Sequence, residues 1–466
     1  MRFHRWPLLA TAIAAVLLAL LLLAPKGLGG TALQWLLGAE YADAAQPATS
    51  ASSAVASAVL APTPADPRIE RGRYLARAAN CIGCHTGPGQ APFAGGLPID
   101  TPLGRIYSTN ITPDPDAGIG SYSLEDFDRA VRRGVARHGK RLYPAMPYPS
   151  YARMDDRDVE ALFVYLRGAV APVRYSAPEA RMRWPFGMRW LMWGWNALFL
   201  DQRPMRVDPA QSAQWNRGAY LVQAVGHCGA CHTPRGLLLG EKGLDERSEH
   251  FLAGAEVLGW SATSLRGDRL TGLGSWSRAE IAEYLRTGRN AHGTSFGPMS
   301  EVVSMSTQHL HDSDLDAIAV YLKSLSAVRG ETRPFLYDDT AARELRAGRF
   351  ESGGARLYAQ YCMPCHGADG KGFARVFPPL AGNAAVVDPN AASLINLLLH
   401  GAITARVDTA ATDYRMPGYG WTLNDQEIAD VLTFVRGGWG NRAEAVDSAV
   451  VARRRAATAP PQEPRP

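Results

Sequence analysis

Cysteine is scarce in this chain: 466 residues hold six. A disulfide-dense scaffold is therefore excluded, and a length suited to two to four domains leaves room for sizeable buried cores instead. An excess of charge of one sign is missing too. The 49 Lys and Arg against 44 Asp and Glu leave a formal +5 spread along the chain, too weak and too scattered for a nucleic-acid surface. A dinucleotide fingerprint, a nucleophile elbow and a phosphate loop are all absent, so no catalytic set for a substrate is visible.

The first residues carry Arg2 and Arg5 and then an uncharged apolar run from Pro7 to Pro25. A signal-peptide core takes about 7 to 15 residues and a spanning helix about 20, so residues 1–27 read as an export signal or an anchor helix. In both cases the positive flank stays in the cytoplasm and the remainder is delivered outside. Residues 28–67 end in ADAAQPATSASSAVASAVLAPTPAD, rich in Ala, Ser and Pro. Such a segment cannot build a core and reads as a tether. An A-x-A cleavage pattern at Ala42 to Ala44 lies far beyond the apolar run. The opposite end, residues 443–466 with RRRAATAPPQEPRP, reads as a disordered tail.

Between the ends one unit occurs three times. RGRYLARAANCIGCH (71–85) returns as RGAYLVQAVGHCGACH (217–232) and, more loosely, as GARLYAQYCMPCH (354–366). Each copy closes with an apolar stripe at helical spacing that opens on acidic residues: MDDRDVEALFVYLRG, HDSDLDAIAVYLKSL and LNDQEIADVLTFVRGGWGN. Gly- and Pro-rich loops join the two helices, and little reads as strand. The expected fold is all-α, with three domains in tandem over 68–172, 213–328 and 345–442 and a Trp-rich connector over 173–212.

All six cysteines fall in C-x-x-C-H units: Cys81, Cys84 and His85; Cys228, Cys231 and His232; Cys362, Cys365 and His366. Two cysteines one helical turn apart can form thioethers to two vinyl groups of one porphyrin, and the adjacent histidine then meets the iron. Three disulfides or closed zinc sites would also use paired cysteines. Neither requires a histidine directly after the second one. With 11 His in 466 residues, three chance placements have odds on the order of one in 10⁵. Three covalent haem c groups are the expectation.

A second axial ligand is offered by one methionine per repeat: Met146 in LYPAMPYPSY, Met299 in GTSFGPMSEVV and Met416 in DYRMPGYGW. A buried methionine is more often core filler. Here each lies beside a proline, 18 to 22 residues before Tyr165, Tyr321 or Phe434 of the last helix. That recurrence favours ligands. Met305 and His292 compete with Met299, and His138 with Met146; His227, His250, His309, His311 and His400 read as surface or structural residues. Thioether attachment with His/Met coordination suits electron transfer over ligand chemistry, so three such centres would form a relay.

The order of motifs resembles a known family. GRIYSTNITPD, GIGSYSLEDF and LYPAMPYPSY, then CGACHTPRG and GPMSEVV, then RMPGYGWTLNDQEIADVLTFVRGGWGN are similar to the membrane-bound triheme cytochrome c subunits of bacterial alcohol, gluconate, sorbitol and related dehydrogenases. The likeness covers roughly residues 66–445, about four fifths of the chain. It implies His85, His232 and His366 as proximal ligands and Met146, Met299 and Met416 as distal ones. It also implies a periplasmic quinoprotein (PQQ) or flavoprotein (FAD) dehydrogenase as donor, the latter with a small third subunit. The acceptor it implies is ubiquinone, at the periplasmic face of the cytoplasmic membrane. One alternative belongs to another class, a peroxidase-like haem enzyme with one open site; a second keeps the relay but makes the chain a cytochrome donor to a terminal oxidase. The connector RMRWPFGMRWLMWGWNALFLD (181–201) has the composition of a headgroup interface or of an interdomain packing element.

Overall fold

The computed structural model describes residues 66–458 apart from 329, 331–333 and 411–412. The expected signal or anchor helix lies outside these residues, as does the tether up to residue 65. Among the described residues no helix is long and apolar enough to cross a membrane.

In the first repeat α1 (Pro67–Ala78) begins at Asp66, whose side chain accepts the Arg68 N–H, with Pro67 at the first helical position. α2 (Cys81–Cys84) follows, then β1 (Pro98–Thr101), β2 (Gly104–Tyr107), α3 (Leu124–Arg133), α4 (Tyr148–Tyr151) and α5 (Asp156–Gly168). The connector supplies β3 (Arg181–Met182) and α6 (Leu191–Phe199). The second repeat holds α7 (Ala213–Tyr220), a π-helical turn (Leu221–Val225), α8 (Gly229–His232), β4 (Ala255–Val257), β5 (Trp260–Ala262), α9 (Arg278–Thr287), α10 (Pro298–Met305) and α11 (Asp312–Ser324). The third holds α12 (Thr340–Arg346), α13 (Gly353–Tyr361), α14 (Met363–His366), α15 (Ala384–Val387), α16 (Ala392–His400), β6 (Ala402–Ile403), β7 (Arg415–Met416), α17 (Asp425–Gly437) and α18 (Ser448–Ala457).

The described chain is mostly helical, and the reading of little strand needs one amendment: each repeat carries a small antiparallel sheet. β1 pairs with β2, and β3 of the connector adds to β2; β4 pairs with β5, and β6 with β7. Strands of two to four residues are shorter than the window over which alternation can be read.

One glycine explains how the helices of each repeat meet. A Cβ at Gly72 would lie 2.0 Å from the Ala161 carbonyl oxygen, one at Gly218 2.0 Å from that of Ala317, and one at Gly354 2.1 Å from that of Asp430. The backbones of α1 and α5, α7 and α11, and α13 and α17 therefore touch, and no larger residue fits. Tyr165 and Tyr321, both fully buried, and Phe434 lie at these crossings. The second repeat has one more residue between its glycine and its first cysteine than the first repeat, and the π-helical turn follows directly on α7 in that interval.

The first two repeats share one hydrophobic cluster, running from Ile69 through Tyr165 and Trp215 to Leu325. They are tied by a reciprocal exchange. Tyr74 of α1 donates its hydroxyl to Asp314 at the start of α11, and Tyr220 of α7 donates to Asp158 at the start of α5, 2.6 Å away. Within each repeat Arg71 pairs with Asp158 and Arg217 with Asp314. Arg and Tyr three residues apart on one helix face serve both contacts. The third repeat has Ala355 where Tyr74 stands relative to the first cysteine, and its core, from Ala342 through Trp439 to Val451, is a separate cluster.

The expected disordered tail over 443–466 requires correction up to residue 458; residues 459–466 lie outside the described residues. Residues 448–457 form α18, capped by the Asp447 side chain accepting from Ala449 N–H, with Val451 fully buried against the third core. Two of its three arginines are anchored: Arg454 reaches Glu256 and the Gly259 carbonyl, and Arg455 reaches Asp425 and the carbonyls of Gly420 and Leu423. A basic run that reads as solvated is held here by carbonyls that local composition does not reveal.

Candidate haem sites

Each C-x-x-C-H is a single helical turn. His85 N–H donates to the Cys81 carbonyl at 2.8 Å, His232 to Cys228 at 3.0 Å and His366 to Cys362 at 2.9 Å. The turn brings both sulfurs of a pair to one side, as i and i+3 positions require. None of the six is in a disulfide. Burial pushes the thiols of Cys81, Cys84, Cys228 and Cys362 up to about 12 and raises Cys231 as well. These are apolar settings, and among the described residues no cluster of His, Cys, Asp and Glu suits a bare metal ion.

The three histidines are oriented alike. His85 Nδ1 lies 2.6 Å from the Thr109 carbonyl oxygen, His232 Nδ1 2.7 Å from that of Thr263, and His366 Nδ1 3.0 Å from that of Pro378. A carbonyl only accepts, so Nδ1 carries the proton and Nε2 keeps its lone pair for a metal. Burial lowers the proton affinity of all three rings. The imidazoles are therefore neutral, as iron ligation demands. Paired free sulfurs, one turn apart beside an imidazole with a free Nε2, fit a covalently held haem; a disulfide framework they do not fit.

The methionine segments are held by three different devices. Met146 precedes Pro147 and α4, with the Tyr148 N–H bonded to its carbonyl at 2.7 Å. Met299 is the second residue of α10, after Pro298 and a Gly297 whose φ of +52° lets the chain lie against the Trp260 ring. Met416 is in β7, opposite Ala402 of β6. All three are half-buried. Met146 packs on the shared core and Met416 on the third core, while Met299 packs on a small cluster of Val303 with Ala405 and Val407 of the third repeat.

The rival ligands are engaged elsewhere or turned away. His138 is exposed with a φ of +64°. His292 stacks on Trp276, ring centroids 5.0 Å apart, and its Nε2 is 3.1 Å from Glu280. Met305 sits six residues beyond Met299, about 240° round the same helix. His227, expected as a surface or structural residue, is structural: it lies half-buried between the first two repeats, edge-on to Tyr151, with Nε2 3.2 Å from the Ala79 carbonyl oxygen. Its position next to Cys228 was the available signal.

The first two sites adjoin. α10, which carries Met299, packs on α2 of the first motif, and after burial itself the charges that most raise the Cys84 thiol are Glu301 and the Cys231 thiol of the second repeat.

The cytochrome c family profile matches residues 69–169, 216–326 and 352–439, nearly two thirds of the chain. The gluconate 2-dehydrogenase cytochrome c subunit of Pantoea cypripedii is 46% identical over 391 residues, 82% of this chain and 88% of that protein. The cytochrome c subunit of the quinone alcohol dehydrogenase of Gluconacetobacter polyoxogenes is 45% identical, covering 84% of this chain and 85% of its own. The fructose dehydrogenase cytochrome subunit of Gluconobacter japonicus is 38% identical, with 85% of each chain covered. This chain belongs to the cytochrome c family and, within it, to the cytochrome c subunits of dehydrogenase complexes, which transfer electrons through covalently bound haem iron and are not catalysts by themselves.

Proposed function

We propose that the chain binds three haem c groups and relays electrons from a periplasmic quinoprotein or flavoprotein dehydrogenase to ubiquinone in the cytoplasmic membrane. In this reading Cys81 and Cys84, Cys228 and Cys231, and Cys362 and Cys365 form the thioethers. The axial pairs are His85 with Met146, His232 with Met299, and His366 with Met416. The observation that carries the reading is the threefold recurrence of one arrangement: a cysteine pair on a single turn, then a histidine whose Nδ1 faces a backbone carbonyl. His/Met coordination keeps iron six-coordinate in both oxidation states, so electrons pass without ligand exchange. The three domains are proposed to span 68–172, 213–328 and 345–442.

Quinone as acceptor is supported by the name of the quinone alcohol dehydrogenase subunit among the relatives, and by the connector. Trp184, Trp190, Trp193 and Leu198 expose 78%, 67%, 67% and 68% of their surface. Aromatic side chains in that number suit the headgroup layer of a membrane. Export of the chain, by a cleaved signal or an uncleaved anchor, would place it at the periplasmic face. The test is reconstitution of the chain with its dehydrogenase in vesicles containing ubiquinone. Substrate-dependent quinol formation is the expected result; reduction of the haems with no quinol formed would refute the assignment of the acceptor.

A further inference from the structure

The second and third repeats meet at the turn that follows α9. Gly288, with a φ of +72°, closes that helix and packs so tightly on the third repeat that a Cβ there would lie 2.8 Å from the Ala405 Cβ. Arg289 and Thr294 are bridged across the turn, and the Asn383 side chain donates to the His292 carbonyl at 3.1 Å. Glu283 of α9 pairs with Arg375 of the third repeat. The first repeat makes the same turn after Gly134, with Val135 bridged to Arg141, and the third places Ala402 after Gly401. Among the three, the second repeat alone has an arginine at this position.

That arginine lies against the wall of the third haem site. Its guanidinium carbon is 5.2 Å from the centroid of the Tyr414 ring, and Nη1 donates to the Arg375 carbonyl at 3.4 Å. Tyr414 stands two residues before Met416 with exposed Arg415 between them, so along the extended chain Tyr414 and Met416 share a face. The Tyr414 ring also meets Phe377 edge-on, centroids 6.1 Å apart, and Phe377 precedes the proline whose carbonyl holds His366 Nδ1. Tyr414 and Phe377 therefore join the methionine side of the site to its histidine side. Arg289 covers the join from the neighbouring repeat. Its Nη2 is fully buried without a hydrogen-bond partner, and no carboxylate pairs with the guanidinium among the described residues. A buried cationic donor left without an acceptor is costly unless a negative group meets it.

We propose that Arg289 donates to a propionate carboxylate of the third haem, so that the second repeat completes the third haem site. The inference rests on the three-haem reading above. A haem carries two propionates, and the paired N–H groups of a guanidinium match a carboxylate in both charge and geometry. The cations in the loop after the third motif are engaged elsewhere: Lys371 lies over the Tyr337 ring and Arg375 pairs with Glu283. A fixed positive charge beside the iron disfavours the ferric form, which carries one positive charge more than the ferrous. Arg289 thus raises the potential of the third haem above what its own repeat would set.

The test is a spectroelectrochemical titration of the full haem-loaded chain, with redox-difference infrared spectra of the propionate bands. Met416→His marks which of the three one-electron components belongs to the third haem, because methionine ligation raises the potential. In Arg289→Gln and Arg289→Met the ferric-to-ferrous ratio of that component at fixed potential should rise at least threefold, a midpoint lower by about 30 mV at about 59 mV per factor of ten, and a propionate band should move. Arg289→Lys, which keeps the charge without the fork, should shift the midpoint less than half as far. Arg375→Gln breaks an ion pair at the same boundary but leaves the donor in place; its shift should stay below twofold. A third component unmoved in Arg289→Gln and Arg289→Met, a shift confined to the second component, or an equal shift in Arg375→Gln overturns the proposal while leaving three haems. A chain with fewer than three haems, or a Met416→His titration identical to wild type, overturns the underlying reading of the sites.

Discussion

Asp314→Asn should loosen the start of α11 from α7 of its own repeat and from α1 of the first. Asp314 is 91% buried and accepts two N–H bonds from Arg217, at 2.8 and 2.6 Å, plus the Tyr74 hydroxyl from the first repeat. Each hydrogen bond to a charged group is worth about 1.5–3 kcal/mol, and breaking a fully buried ion pair costs about 3–5 kcal/mol. Arg217 keeps 30% of its side chain in solvent and can be partly rehydrated, which sets the loss near the lower limit, at about 3 kcal/mol. At about 1.4 kcal/mol per factor of ten, local opening should rise about 10²-fold. Hydrogen exchange of the haem-loaded protein reads this directly, as faster exchange of amides in α1 and α11, with α13 and α17 unaffected. The reciprocal variant Asp158→Asn should act alike on α5 and α7. Glu344→Gln, in an exposed pair with Arg349, should change nothing measurable. Exchange of α1 and α11 within twofold of wild type in Asp314→Asn would refute the interlock.

Three further outcomes follow from single contacts. Truncation after Asp447 removes α18 with its fully buried Val451 and the Arg454 and Arg455 contacts, and should cost the third core about 2–4 kcal/mol in urea unfolding while the shared core melts unchanged. Asp245 is buried, which works against ionisation, but Arg247 and Arg153 hold its pKa down to about 2; its contribution is complete above the unfolded value of about 3.9 and is lost as pH falls toward about 2, so an acid titration followed by near-ultraviolet circular dichroism should show a step that Asp245→Asn removes. Met146→Ala should leave haem content unchanged and let the reduced protein bind one carbon monoxide per chain; no binding would give the sixth position of the first site to another residue.

What the sequence yields here depends on how local each determinant is. The haem motifs, the terminal helices and the proline-flanked methionines are each contiguous, so spacing and periodicity expose them. The glycine at 72, 218 and 354 stands in the same stretch of every repeat, yet its reason is a carbonyl about 76 to 99 residues further on. Only the folded chain supplies it. Tyr74 and Tyr220 likewise read as ordinary aromatic positions of a helix stripe, because their partners Asp314 and Asp158 belong to the other repeat. Helix α18 reads as a tail for a related reason: its apolar face is only Val450 and Val451, and the rest of its hold is arginine to distant carboxylates and carbonyls.

The claim on which the account turns is a covalent haem at every C-x-x-C-H. The haem-to-polypeptide ratio of the purified chain, measured as the pyridine haemochrome after denaturation, tests it most directly. Three haems per chain that stay with the polypeptide through acidic acetone extraction are the predicted result, one for each motif; a ratio of two or fewer, or haem that extracts, would contradict it.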